Sequence, residues 1–279
     1  MLVIGRRNQL TVLRKVDFGY YLDGLDYGDI LMPAKYAAEP LEAGDEVNVF
    51  VYLDSSEKLI ATTEKPIAEV GEFAYLKAVT VNEVGAFMDW GVTKQLFVPF
   101  AEQRTRMEEN KSYLVYIFID PITERIIGSA KLGKFLDETP PLFKDDEIFE
   151  GIVWQQTDLG YKVIIQHSHT GLLFHSEVYR PLKLGDKIEV EIKNIRPDGK
   201  IDLRLRKSGA EKSDEISEII LTKLKANNGF LPLSDHTDPE VIKAMLGVSK
   251  KSFKKGIGKL YKDRMVNIEE NGIYLILEE

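Results

Sequence analysis

Gly19, Asp23, Pro33 and Asp54 of this 279-residue chain return 66 positions later as Gly85, Asp89, Pro99 and Asp120. Their neighbours match in kind: F-G-Y-Y-L-D against V-G-A-F-M-D, and V-F-V-Y-L-D against V-Y-I-F-I-D. A further step of 75 positions reaches Gly160, and sets Gly185 opposite Asn110 and Gly44. One offset shared by several landmarks marks a repeated structural unit. Copies of a small module in a row suit a binding surface laid out along the chain better than one catalytic pocket.

Each copy reads as short strands. In the third, Ile188, Val190 and Ile192 alternate with Lys187, Glu189 and Glu191, and Pro197-Asp198-Gly199 turns the chain into Ile201, Leu203 and Leu205. The matching strand of the second copy, Leu114 to Ile119, is apolar on both faces. Either a neighbouring domain covers its outer side, or it crosses a tight barrel corner. A five-stranded Greek-key barrel of the OB type fits the length, the strand count and the glycine bend. Linkers are expected at 62–66, 137–141 and 207–213. From Asp214, a plausible cap, Ile216, Ile219, Ile220 and Leu224 follow a helical period. A second helix opens at Asp238-Pro239 and stops at Gly247, and Ser249 caps a third running to about Asp263. A hairpin through Asn271-Gly272 joins Val266–Ile268 to Ile273–Leu277, which completes a winged helix-turn-helix. The expected fold is therefore mainly β and multidomain. Three tandem OB-fold barrels occupy 1–66, 67–140 and 141–212, and a C-terminal α+β winged-helix domain occupies 213–279.

The net charge of −8 divides as −4, −3, 0 and −1 over these four segments. Nucleic-acid affinity in the first half must then come from stacking and hydrogen bonding more than from counterion release. Cysteine is absent, which excludes disulfides and thiolate metal sites and fits a cytoplasmic location. No apolar run approaches the length of a membrane span, and the charges behind a very short apolar start are the reverse of a secretory signal. His167, His169 and His175 lack the carboxylates or thiols that would complete a coordination shell, so no metal is expected. Neither a phosphate loop nor a nucleophile–base set is present, so no enzyme activity, cofactor or small-molecule substrate is expected.

F-G-Y-Y-L-D, then I-L-M-P, G-D-E-V-N-V-F-V-Y-L-D and I-A-T-T-E-K, resemble an RNA-binding domain of the S1 type, and the later copies end similarly in I-G-S-A-K and I-D-L-R-L-R-K. Three such domains followed by a winged helix resemble the conserved virulence factor B family of bacteria over essentially the whole chain. The resemblance implies a cytoplasmic, non-catalytic protein that binds single-stranded RNA and regulates gene expression after transcription. It also implies site residues. The first copy offers the aromatics Phe18 and Tyr21, Met32 at the histidine position, and Asp54 and Lys58. In the second, Phe87, Asp120 and Arg125 match, while Val84 and Val98 replace an aromatic and the histidine. The third has Leu159 and Lys162 at the aromatic positions, Phe174 near the histidine position, and Arg196 and Lys200. On this reading the first copy is the best stacking platform and the third the most basic surface.

Two choices stay open from the residues alone. Phe18, Tyr21 and Phe87 either stack on unpaired bases or fill barrel cores. Lys250, Lys251, Lys254, Lys255 and Lys259, with Lys262, form either a nucleic-acid backbone contact or a solvated helix face opposite Phe253, Ile257, Leu260 and Tyr261. Duplex nucleic acid or a protein partner would suit that helix. The rivals to RNA binding are a protein-interaction adaptor with degenerate OB folds and a winged-helix DNA-binding regulator. Against the second, the wing carries Glu269 and Glu270, and the third helix has no Asn, Gln or Arg to reach base edges.

Overall fold

A computed structural model describes residues 1–37, 39–207 and 209–276. The chain divides into two compact units, Met1–Arg204 and Leu205–Glu279.

The first unit holds three closed five-stranded barrels. The first is made of β1 (Arg7–Val16), β2 (Gly19–Asp23), β3 (Asp29–Pro33), β4 (Glu46–Leu53) and β5 (Leu59–Thr62). The second is made of β6 (Phe73–Val81), β7 (Gly85–Asp89), β8 (Leu96–Pro99), β9 (Ser112–Ile119) and β10 (Ile126–Ser129). The third is made of β11 (Ile148–Thr157), β12 (Gly160–Ile165), β13 (His169–Phe174), β14 (Lys187–Ile195) and β15 (Ile201–Leu205). Each closes in the order first, second, third, fifth, fourth strand, with the third and fifth strands parallel. This is the OB arrangement.

The repeated landmarks have physical causes. Gly19 opens β2 where the backbone passes close under β3, and a Cβ there would lie 2.2 Å from the Met32 carbonyl oxygen. At Gly85 and Gly160 the same atom would meet the carbonyls of Val98 and Leu173 at 2.4 and 2.1 Å. All three adopt φ near +156°, which side chains rarely adopt. The pairing of the first strand with the second shifts register at one equivalent place in every barrel: Val12/Arg14, Ala78/Thr80 and Val153/Gln155. Such bulges bend a strand around a barrel and re-aim its side chains.

A covering neighbour explains the strand that is apolar on both faces. Val115 and Ile117 of β9 are fully buried in their own barrel, while Leu114 and Tyr116 pack with Phe73, Ile152, Ile164 and Trp154, across the seam to the third barrel. The same holds one copy earlier. Val49 and Val51 of β4 face the first core, and Phe50 and Tyr52 join the core of the second, where Phe50 meets Trp90 edge-on at 5.4 Å. His167 belongs to the second seam: its Nδ1 accepts the Phe73 N–H at 2.9 Å and its ring lies parallel to that of Phe73. Burial holds its pKa below the ordinary value.

In the second unit, α1 (Gly209–Ala226), α2 (Pro239–Leu246) and α3 (Lys250–Lys262) pack beside a three-stranded sheet of β16 (Phe230–Leu231), β18 (Gly272–Leu275) and β17 (Val266–Glu269). Asp238 and Ser249 cap α2 and α3 through the N–H groups of Glu240 and Ser252, and Gly247 ends α2 in the left-handed conformation. Asp214 does not cap α1. The helix begins at Gly209, so the expected boundary at 212/213 and part of the expected linker fall inside it, and Asp214 pairs with Lys259 of α3. Ser208 and Leu277, which were placed in that linker and in the wing, lie outside the described residues.

Candidate nucleic-acid interface

Alternation along the second and third strands decides which side chains leave each barrel. Tyr20 and Leu22 point inward, so Tyr21 points out, with Leu31 opposite it on β3. Phe18, on the turn before Gly19, is 59% exposed, and its equivalents Val84 and Leu159 are 58% and 63% exposed. The position is outward in all three copies, so Phe18 does not fill a core.

In the first barrel the Phe18 and Tyr21 rings meet edge-on at 6.4 Å. The bulge at Val12/Arg14 sets Arg14 opposite Tyr21, its guanidinium 4.3 Å from the ring centroid and ion-paired with Asp29 at 2.5 Å. Arg14 escapes a reading based on strict alternation because the bulge changes the register. Met32 corrects the sequence reading: it is fully buried, as are its equivalents Val98 and Leu173. The outward position beside the glycine is Pro33, Pro99 or Phe174, paired with Gly19, Gly85 and Gly160 respectively. Asp54 closes its own hairpin, accepting the N–H groups of Ser56 and Lys58 at 2.7 and 3.0 Å, and Lys58 is exposed.

In the second barrel Phe87 lies directly opposite Phe97, with ring centroids 5.0 Å apart. Phe97 went unnoticed in the sequence, although alternation in L-F-V-P would have placed it outward. Asp120 accepts the Thr123 hydroxyl at 2.6 Å, and that bond holds its carboxyl below the usual carboxylate range. Arg125 is ion-paired with Glu57 of the first barrel. The Lys94 ammonium donates to the carbonyls of Leu53 and Asp54 at 2.7 and 2.8 Å, which ties the β4–β5 hairpin to the second barrel. Val84, Phe87, Lys94, Phe97, Glu57 and Arg125 all line one open groove of about 670 Å³.

The third barrel is less basic in effect than in sequence. Arg196 makes a two-pronged pair with Asp202 at 2.7 and 3.0 Å, and Lys200 pairs with Asp198 at 2.6 Å. The Arg196 guanidinium lies 5.7 Å from the Phe174 ring, and the Lys162 ammonium 5.4 Å from the ring of Trp154, the bulge residue.

On α3 the lysines divide. Lys250 donates to the Thr237 carbonyl at 2.8 Å, Lys254 pairs with Asp235 at 3.4 Å, and Lys259 pairs with Asp214. Lys251, Lys255 and Lys262 are exposed, and with Gly258 they fall within about 60° of the helix circumference. Tyr261, expected among the apolar residues, is instead 58% exposed.

Comparison with known proteins agrees with this architecture. Residues 4–64 match the S1 domain model, and residues 218–275 match a CvfB-like winged helix domain. An uncharacterized protein, YitL, of Bacillus subtilis is 31% identical, covering 96% of this chain and 92% of its own length. The chain belongs to the conserved virulence factor B family. A member named conserved virulence factor B, from Staphylococcus epidermidis, is 25% identical over 98% of this chain and 95% of its own. A solved multidomain protein with nucleic acid binding domains from Streptococcus pneumoniae is 22% identical, covering 98% of both chains at a TM-score of 0.41. S1 barrels and winged helices are nucleic-acid-binding modules, and this family combines them. Among the described residues, no helix is long and apolar enough to cross a membrane.

Proposed function

We propose that this protein binds single-stranded RNA on the outward faces of its tandem barrels and acts in the cytoplasm, without catalysis, as a post-transcriptional regulator. The name carried by its staphylococcal relatives suggests that virulence genes are among its targets. One observation carries the reading. The positions of Phe18 and Tyr21 face outward in every copy, and two copies present an aromatic pair on that face, Phe18 with Tyr21, and Phe87 with Phe97 across from it on the next strand. Unpaired bases stack on such rings with little regard to sequence, at roughly 1–3 kcal/mol per base. On α3, Lys251, Lys255 and Lys262 supply a backbone contact to the same RNA or to a duplex.

Fluorescence anisotropy with a labelled single-stranded RNA tests this. Replacing Phe18, Tyr21, Phe87 and Phe97 by alanine weakens binding by about thirtyfold or more, from two lost stacking sites at about 1 kcal/mol each. The dependence on salt stays unchanged, because no phosphate contact is removed. Undiminished affinity in the quadruple variant refutes the stacking assignment. The ion pairs that occupy Arg196 and Lys200 favour a second reading, a protein-interaction adaptor. Homopolymer RNA titrated at two salt concentrations separates the two, since an adaptor binds none.

A further inference from the structure

We propose that the groove between the first and second barrels is a composite subsite for a single unpaired guanine, with Glu57 and Arg125 reading its Watson–Crick edge. The proposal rests on the RNA-binding reading and adds a base preference to it.

Two barrels build the groove. The second supplies the floor, the paired rings of Phe87 and Phe97. The first supplies one rim through its β4–β5 hairpin, held in place by the two carbonyl contacts of Lys94. Glu57 sits at the tip of that hairpin and pairs with Arg125 across the groove mouth. Both side chains are about half exposed, 54% and 55%, and a water-facing ion pair contributes little stability, so a ligand can open it easily.

The chemistry of the pair selects the base. A carboxylate presents two acceptor oxygens and a guanidinium presents only donors. Along its Watson–Crick edge guanine places two donors, N1–H and the 2-amino group, beside one acceptor, O6. Glu57 accepts from both donors while Arg125 donates to O6, so the charges remain complementary when the direct pair opens. Adenine, uracil and cytosine each offer that edge a single donor group, and none places two donor positions beside an acceptor. Unpaired bases splayed onto aromatic rings are commonly read at this edge.

The backbone of this turn accommodates the glutamate without calling for it. Glu57 adopts φ +62°, a left-handed conformation uncommon outside glycine, asparagine and aspartate. In the third barrel Gly199 occupies the equivalent turn position: the Glu57 N–H bonds to the Asp54 carbonyl, and the Gly199 N–H to that of Arg196. In the second barrel Glu124 occupies it, with φ +57°, so the position takes glutamate or glycine, and Glu57 differs in facing Arg125 across the groove.

The test uses the full chain and labelled octamers of uridine carrying one central guanosine, inosine or adenosine, against the all-uridine octamer. Removing a carboxylate strengthens binding of any polyanion, so the readout is each variant's discrimination ratio, not its affinity. The wild-type protein prefers the guanosine octamer to the adenosine one by about fivefold to tenfold, the low range expected of a two-bond contact at an exposed site. Inosine, which lacks the 2-amino group, loses most of that preference. Glu57→Gln and Glu57→Gly bring the ratio close to one, and the glycine variant relieves any strain at this turn. Equal wild-type affinity for the three octamers overturns the proposal, as does a guanosine preference that survives both substitutions. Binding of all-uridine RNA that depends on Phe87 and Phe97 but shows no guanine preference defeats this inference alone. Failure to bind any octamer defeats the RNA-binding reading as well.

Discussion

Two glycines in α3, two residues apart, answer oppositely to the same substitution. A Cβ on Gly256 would come 2.6 Å from Cγ2 of Ile216 and 3.1 Å from Cδ1 of Ile220, and Ile220 is fully buried. The Gly256 carbonyl also accepts the Ser217 hydroxyl at 3.2 Å, so α1 and α3 are held together at this crossing. A Cβ on Gly258 would meet nothing within 4 Å. Replacing an interior helical glycine by alanine yields about 1 kcal/mol in either case. Overpacking a fitted contact costs about 1–3 kcal/mol, so Gly256→Ala comes out near 1 kcal/mol destabilising and Gly258→Ala near 1 kcal/mol stabilising. The two variants then differ by about 2 kcal/mol, roughly thirtyfold in the equilibrium for opening α3. Hydrogen exchange of the peptide covering 250–262 in the intact protein measures that equilibrium directly. Equal protection of α3 in the two variants would show that α1 gives way without cost, and the close-approach reasoning would fail.

Replacing Lys251, Lys255 and Lys262 by glutamine lowers the slope of log affinity against log salt by about 2, from three phosphates at about 0.7 each on a single strand. The same change at Lys250, Lys254 and Lys259, which have partners inside the module, lowers it less, and equal effects would remove the distinction. His167 makes the seam between the second and third barrels sensitive to acid. Its folded pKa lies below that of the unfolded chain, about 6.5. The unfolded state therefore takes up the proton first, and stability present above about pH 6.5 is lost as the pH falls through the folded value. Urea midpoints at pH 7.5 and 5.5 check this against His167→Gln, which keeps an acceptor for the Phe73 N–H but does not titrate. Parallel losses in both proteins would assign the acid sensitivity to other groups.

The barrels were legible because their causes are local. The glycines at 19, 85 and 160 mark close backbone crossings that tolerate no side chain, and these carry the repeat. The caps of α2 and α3 lie within three residues of the N–H groups they satisfy, so composition reveals them. The assignment of Met32 failed by one residue, and in a strand one residue exchanges surface for core. Pro33 occupies the outward position, and proline gives no hint of a recognition surface. The partners of the α3 lysines, Asp235 and Asp214, come from other parts of the second unit. The same is true of the hairpin that brings Glu57 to Arg125: neither element shows in its own segment that it will meet the other.

Phe50, Tyr52, Leu114 and Tyr116 give the strands that carry them two interiors at once. Ending the chain after residue 66 would turn Phe50 and Tyr52 to water, forfeiting about 1.5–3 kcal/mol for the phenylalanine alone and leaving a sticky flank. Barrels of this kind cannot be shuffled like beads, because each added copy must bring the wall that fits the copy before it. The fourth strand of the third barrel, β14, carries Glu189 and Glu191 where β9 carries Leu114 and Tyr116, so that flank is finished in charge and needs no such wall.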